Sequence, residues 1–356
     1  VTANYTLVGS STHDDTLWTI KADHSFSPSQ RVSFFMTRRN YFDLAPRQFS
    51  GALSNGLQNG QYPEDYRGNW DWIISPTKLL HTTFGNSQTI QRWNNPEERG
   101  WGSKWGFPGL TGKADATPYI SFSTDNLTSW GMNQGKVDNG GQFNYTYQWS
   151  QQLSWVKGKH EYKMGWDIRR LQTTGDDWAG TNGAYVFSRY QTADPTNKNA
   201  TGNAFASMLL GAADSASQTT LPVIIGQTRY GYHAGFFQDD WRVTPRLTLN
   251  VGVRYEVPIG WHSRDGLTST VDLTLPNPGA GGLPGALVYA GSGSGRSGVK
   301  RFYPTDYKDI GPRAGFAYRL RDKTVLRGGF GIYYQTLGNG GCGCTDGVGG
   351  APLSAS

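Results

Sequence analysis

The chain has 356 residues, with 48 Gly, 13% aromatic residues and only 17% charged residues, against about 25% charged and about 7% Gly in ordinary globular domains. Mean hydropathy is −0.56, and the sequence holds no run of about 18 apolar residues, which excludes a transmembrane helix. The net charge is +6, yet Lys and Arg are scattered singly, without zinc spacing or an RNA-binding signature, and this argues against nucleic acid as a partner.

A chain that is polar on average yet rich in Trp, Tyr and Phe fits a barrel with one face toward lipid and one toward water. The N-terminal stretch ValThrAlaAsnTyrThr has no basic region followed by an apolar run, so it is not a signal peptide. Both ends read as cuts through a longer chain. Period-two alternation then predicts strands over Thr16–Ser25, Arg31–Arg39, Asn69–Ile74 and Leu79–Gly85. In Phe143–Trp155 the apolar set is Phe143, Tyr145, Tyr147, Trp149, Leu153 and Trp155, with Asn, Thr, Gln and Ser between them. Glu161–Arg169 alternates in the same way. Within 202–211, GlyAsnAlaPheAlaSerMetLeuLeuGly reads as a short helix in a long connection, and Gly183–Tyr190 with Gln218–Ile225 reads as an extra hairpin there.

Tyr230–Trp241 is a strand whose alternation is blurred by aromatics. Its Tyr230, Tyr232, Phe236, Phe237 and Trp241 fit an interfacial girdle. Arg246–Val257 is the clearest strand: Leu247, Leu249, Val251, Val253, Tyr255 and Val257 on one face, Arg246, Thr248, Asn250, Gly252, Arg254 and Glu256 on the other. Gly279–Val299 is rich in Gly, Pro and Ser and is expected to be a mobile loop. Ile310–Leu320 and Thr324–Tyr334 complete ten predicted strands.

Five connections are short: 25–30, 75–78, 157–159, 243–245 and 321–323. Those between them are long: about 42–67, 87–140, 172–228 and 258–308. Short turns at one end and long loops at the other are the plan of an outer-membrane barrel, since only a closed barrel or a helix satisfies every backbone group in lipid. The expected fold is therefore all-β, a transmembrane antiparallel β-barrel with long extracellular loops.

Catalytic signals are weak. Asp14–Asp15, Asp176–Asp177 and Asp239–Asp240 are neighbours that a strand turns to opposite faces, so they do not make a paired-carboxylate site. The histidines show no metal spacing. Cys342 and Cys344 suit a loop disulfide or two free thiols better than a zinc site. No enzyme activity, metal or cofactor is expected. The candidates for function are lumen-lining Arg246, Asn250, Arg254, Glu256, Arg313, Arg319 and Arg327, which could contact a plug, steer an anionic solute or pair with one another. Loop aromatics Trp93, Trp101, Trp105, Phe107 and Trp178 could stack on a solute or pack on each other.

PhePheGlnAspAspTrpArgValThrProArgLeuThrLeuAsnValGlyValArgTyrGlu (236–256) resembles a recurrent hairpin of TonB-dependent outer-membrane receptors. AspIleGlyProArgAlaGlyPheAlaTyrArgLeu (309–320) and ThrValLeuArgGlyGlyPheGlyIleTyrTyr (324–334) resemble the next hairpin, and 202–211 resembles a segment of the Oar-like branch. The resemblance implies a barrel of about 22 strands, closed by an N-terminal plug and energised through TonB. On that reading 1–356 is a partial barrel domain of about ten strands, and the plug, TonB box and C-terminal strands lie outside it. The implied partners are outer-membrane lipid, the protein's own plug, the TonB complex and a bulky solute: carbohydrate, oligopeptide or metal chelate. Two alternatives stay open, a passive porin or adhesin-like barrel, and a secreted β-rich carbohydrate-binding or hydrolytic protein.

Overall fold

The computed structural model describes residues 8–334, apart from 46–48, 50, 54–57, 95–98, 108, 132–139, 177–179, 220–224, 265, 267–268 and 303. Cys342, Cys344 and Trp178 lie outside the described residues. Ten strands form one antiparallel sheet: β1 (Thr12–Ser27), β2 (Gln30–Leu44), β3 (Gln58–Ser75), β4 (Lys78–Asn94), β6 (Gly140–Lys157), β7 (His160–Asp176), β10 (Ile225–Arg242), β11 (Leu247–Ser263), β14 (Asp309–Arg321) and β15 (Thr324–Gly331). Each pairs with the strand before and after it in this order, so the sheet is a meander with β1 and β15 as its edges. Every one of the ten strands expected from alternation lies within or overlaps one of these. The intervening labels belong to loop elements: β5 (Tyr119–Phe122), β8 (Ala184–Phe187), β9 (Ser215–Ser217), β12 (Ser269–Asn277) and β13 (Leu283–Tyr289), with the short helices α1 (Trp101–Lys104) and α2 (Ala204–Leu209).

Two rows of side chains explain how the sheet is dressed. Across β2 to β11 one register row reads Phe34, Gly68, Phe84, Trp149, Ile168, His233 and Val257. Phe84 is 58% exposed and Trp149 46%. The adjacent row, on the opposite face, reads Asp23, Ser33, Asn69, Thr83, Ser150, Asp167, Ala234, Glu256 and Asp309. Here Asp167 and Glu256 are each 8% exposed. Large apolar groups thus stand exposed on one face while polar groups such as Asp167 and Glu256 are covered on the other. That is the geometry of a sheet curled around its polar side, as in a barrel wall.

The strands are longer than a membrane crossing requires. Eight of the ten run 15 to 18 residues, where about 9–11 tilted residues cross the hydrocarbon. The outward face accounts for the excess. Four residues beyond the Phe34–Trp149 row, away from the short turns, it carries Arg38, Glu64, Gln88, Tyr145, Gln172 and Arg229. Arg38 pairs with Glu64 at 3.2 Å, and the Tyr66 hydroxyl donates to Glu64 at 2.8 Å. Polar groups on both faces are tolerated only in water, so this end of the wall stands clear of the apolar band.

Three expectations are corrected here. Gly183–Tyr190 does form a strand, β8, but the antiparallel partner described for it is β9, just ahead of the expected segment, and it also pairs in parallel with β5 from the preceding loop. Of the Gly/Pro/Ser-rich 279–299 segment, Leu283–Tyr289 is a strand that pairs with β12. Tyr230, Tyr232 and Phe236 are not girdle residues. They stand on the polar face, where Tyr230 and Tyr232 are buried with Ala234 against Leu171 and Trp261, and Phe236 lies over Gly165. The outward positions of β10 are Gly231, His233, Gly235, Phe237, Asp239 and Trp241, because alternation leaves only odd numbers there.

Candidate functional site

The polar face of β6, β7, β10 and β11 carries a bonded lattice of ions. Arg254 donates from Nε to Glu256 at 2.7 Å and from its terminal nitrogen to the Tyr232 hydroxyl at 3.0 Å. Asp167 accepts from Arg169 at 2.5 and 3.2 Å and from Gln148 at 3.2 Å, and the Arg169 guanidinium lies 5.3 Å from the Tyr232 ring centre. Nearer the turns, Asp240 accepts from Asn250 at 2.5 Å, Gln238 at 3.0 Å and Lys163 at 3.2 Å, and Lys163 also meets Glu161 at 3.1 Å. Each cluster joins adjacent strands, so the charges tie the wall together while presenting donors and acceptors on its polar face.

Of the residues singled out in the sequence, Asn250, Arg254 and Glu256 fall inside this lattice. Arg313, Arg319 and Arg327 share its face, by register with Gly252, Val325 and Ala317, and the Arg313 guanidinium sits 4.6 Å from the Tyr333 ring centre. Arg246 is exposed in the turn before β11, where its carbonyl accepts from the Arg319 backbone N–H at 2.8 Å. Sequence reasoning missed Lys163, Asp167, Arg169, Tyr232 and Asp240 as partners. Their i, i+2 spacing placed some of them on one face, but cross-strand contacts need the register of three hairpins.

Asp239 and Asp240 separate as strand geometry demands. Asp240 joins the lattice, whereas Asp239 bonds to His160 at 2.7 Å on the outward face. There His160 stacks on Tyr162 and Trp241 at 5.4 and 5.3 Å between ring centres. Asp15 is held by Arg39 in a two-pronged pair at 2.6 and 2.8 Å. Among the described residues no group of three or more His, Cys, Asp or Glu could hold a metal ion.

The long loops build a second unit. β5, from the loop after β4, pairs in parallel with β8, from the loop after β7, and β9 completes a three-stranded sheet. Its aromatics pack together: Phe122 on Trp130 and Phe187, Trp130 on Phe205, and Phe107 on Tyr185, all 5.5–6.4 Å between centres. Asp125, at φ 68, locks the unit by pairing with Arg189 and accepting from the Ala204 N–H at 2.7 Å. We expect Asp125→Ala to cost this unit about 2 kcal/mol, as an ionic partner and a cap are lost together. Limited proteolysis would then cut within 189–217 while the ten-stranded sheet stays protected; an unchanged cleavage pattern would contradict the latch. Asp194 and Asp272, also in the loops, have carboxyls below the ordinary value: Asp194 through the Thr196 backbone N–H and then its hydroxyl, Asp272 through the Thr274 hydroxyl and then its N–H.

Of the expected loop aromatics, Trp101 and Trp105 pack on each other at 5.7 Å, with the Lys104 ammonium 3.7 Å from the Trp101 ring centre. Phe107 is occupied by Tyr185, and Trp105 is 42% exposed. Trp93 is corrected from loop to strand: it lies in β4, paired in register with Asn59 and Gly140, because β4 continues above the membrane.

A wall with apolar groups outward and a bonded ionic lattice on its curled face is that of a membrane-spanning antiparallel β-barrel. The chain belongs to the outer membrane beta barrel domain family, whose model matches residues 1–351, and its place is the bacterial outer membrane. No curated protein sequence matches it. Among solved structures it is similar to the alcaligin outer-membrane receptor FauA from Bordetella pertussis (TM-score 0.44, 9% identity, 87% of this chain and 34% of that one). It is also similar to the open form of the ferric-catecholate import receptor Fiu from E. coli K12 (0.46, 10%, 91% and 47%) and to the iron transporter FrpB from Neisseria meningitidis (0.42, 10%, 87% and 35%). The chain spans less than half the length of each of these.

Proposed function

We propose that this chain is wall and loops of a TonB-dependent transporter that moves a bulky solute across the outer membrane. The observation that carries the reading is the width and polarity of the wall. Ten strands in meander order already exceed the eight of a barrel just wide enough for side chains to fill, and the curled face carries an ionic lattice beside one small aromatic cluster. A space of that kind is aqueous and wide enough for a plug or a solute. On this reading 1–356 is a partial barrel domain, whose edge strands β1 and β15 are completed by further strands of the same protein. Arg246, Asn250, Arg254, Glu256, Arg313, Arg319 and Arg327 line the interior. Trp93, Trp101, Trp105 and Phe107 belong to the extracellular mouth, where exposed Trp105 is the first candidate for solute contact. The partners are outer-membrane lipid, a plug and the TonB complex. The chemistry is binding and translocation, with no covalent step.

The test uses the complete gene product in its own cell. Uptake through this protein should vanish when TonB is deleted or the inner-membrane proton gradient is collapsed, and the barrel reconstituted alone should conduct little. Uptake indifferent to TonB, together with steady conductance from the reconstituted barrel, would support a passive porin instead.

A further inference from the structure

Besides the Arg38–Glu64 and Asp239–His160 pairs, the outward face carries a group of basic side chains that the transport reading does not use. On β7, Arg169 turns inward to Asp167, so its neighbour Arg170 turns outward. One step further from the turns on the same side, Arg229 of β10 lies in register with His262 of β11. Among the described residues, Arg301, Lys300, Arg229 and Arg170 are charged neighbours of His262. Arg301 is fixed there by donating from Nε to the Gly260 carbonyl at 2.9 Å. The height of the cluster is set by its neighbours. Tyr147, 39% exposed, stands beside Arg170 in register, and one step nearer the turns Trp149 and Ile168 face outward. The cluster therefore sits where the apolar band gives way to the polar wall on the long-loop side, at the level of the headgroups of the outer leaflet.

We propose that Arg170, Arg229, His262, Lys300 and Arg301 form a docking site for a lipid of the outer leaflet that carries phosphate groups on its headgroup. Guanidinium groups suit phosphate because they present paired donors in a fixed plane. The orientation excludes the transported solute as the occupant, since the ionic lattice and the enclosed space are on the other side of the sheet. A lipid already anchored beside Trp149 and Ile168 brings its phosphates to the cluster without a search, which a free anion does not.

The experiment measures binding of the folded protein, in zwitterionic detergent micelles, to three probes: bisphosphorylated lipid A, dephosphorylated lipid A and inorganic phosphate. Wild type should prefer the bisphosphorylated lipid, and its affinity should fall as salt rises. The triple variant Arg170→Gln/Arg229→Gln/Arg301→Gln should bind it about 100-fold more weakly, at about fivefold per charge near a lipid surface, with unchanged heat-modifiable gel mobility. Should the triple variant misfold, the single change at exposed Arg170, about fivefold, and the wild-type salt dependence still decide the matter. Equal binding of phosphorylated and dephosphorylated lipid, binding insensitive to salt, or inorganic phosphate binding as tightly as the lipid would each overturn the proposal.

Discussion

Val253→Arg should cost about 2–4 kcal/mol of folding free energy in a bilayer, whereas Asn250→Arg should cost less than about 1 kcal/mol. Val253 is 42% exposed and pairs in register with Phe237 and Pro312. It sits midway along the outward set from Leu247 to Ile259, so an arginine there meets hydrocarbon with no carboxylate beside it in register. Asn250 stands on the other face, where an arginine would meet Asp240 and water. Equilibrium unfolding from lipid vesicles in denaturant measures both changes. Equal costs would mean that the two faces see one solvent.

Glu256→Ala should cost about 2–3 kcal/mol, because it leaves a largely covered guanidinium without its carboxylate. The side chains of Arg254 and Glu256 are only 19% and 11% exposed, and Arg254 would keep just the Tyr232 hydroxyl. The asymmetry of such pairs makes the prediction sharper. Replacing both partners, Arg254→Met with Glu256→Met, should recover roughly half of the loss, since no stranded ion remains. The same unfolding measurement in a double-mutant cycle reads the coupling. Additive single effects would show that the two side chains do not depend on one another.

The crossings were legible because alternation in a membrane wall is enforced by two solvents. Leu247 to Val257 alternates without exception, and the structure places that stretch in β11 with the expected faces. What lay above the membrane was not legible, because there both faces are polar. Ser87 to Asn94 reads as connection but extends β4, with Gln88 and Arg92 outward and no apolar stripe to announce a strand. The parallel pairing of Tyr119–Phe122 with Ala184–Phe187 joins segments 65 residues apart, and four-residue strands leave no periodic trace. In the site, Arg254 with Glu256 could be read from i, i+2 spacing on one strand. Asp240 with Asn250 and Lys163 could not, because that contact depends on turns that fix three strands in register. Tyr230 and Tyr232 misled because Gly231 and Gly235 take the outward positions on β10 where aromatics would have marked the lipid side.

Single nitroxide labels at Thr248, Leu249, Asn250 and Val251 of the protein in vesicles probe the account directly, by collision with oxygen, which concentrates in lipid, and with a water-soluble nickel chelate. Labels at Leu249 and Val251 should favour oxygen, and those at Thr248 and Asn250 the nickel chelate, in strict alternation along β11. Nickel access at Leu249 and Val251 equal to that at their neighbours would contradict the membrane-wall account.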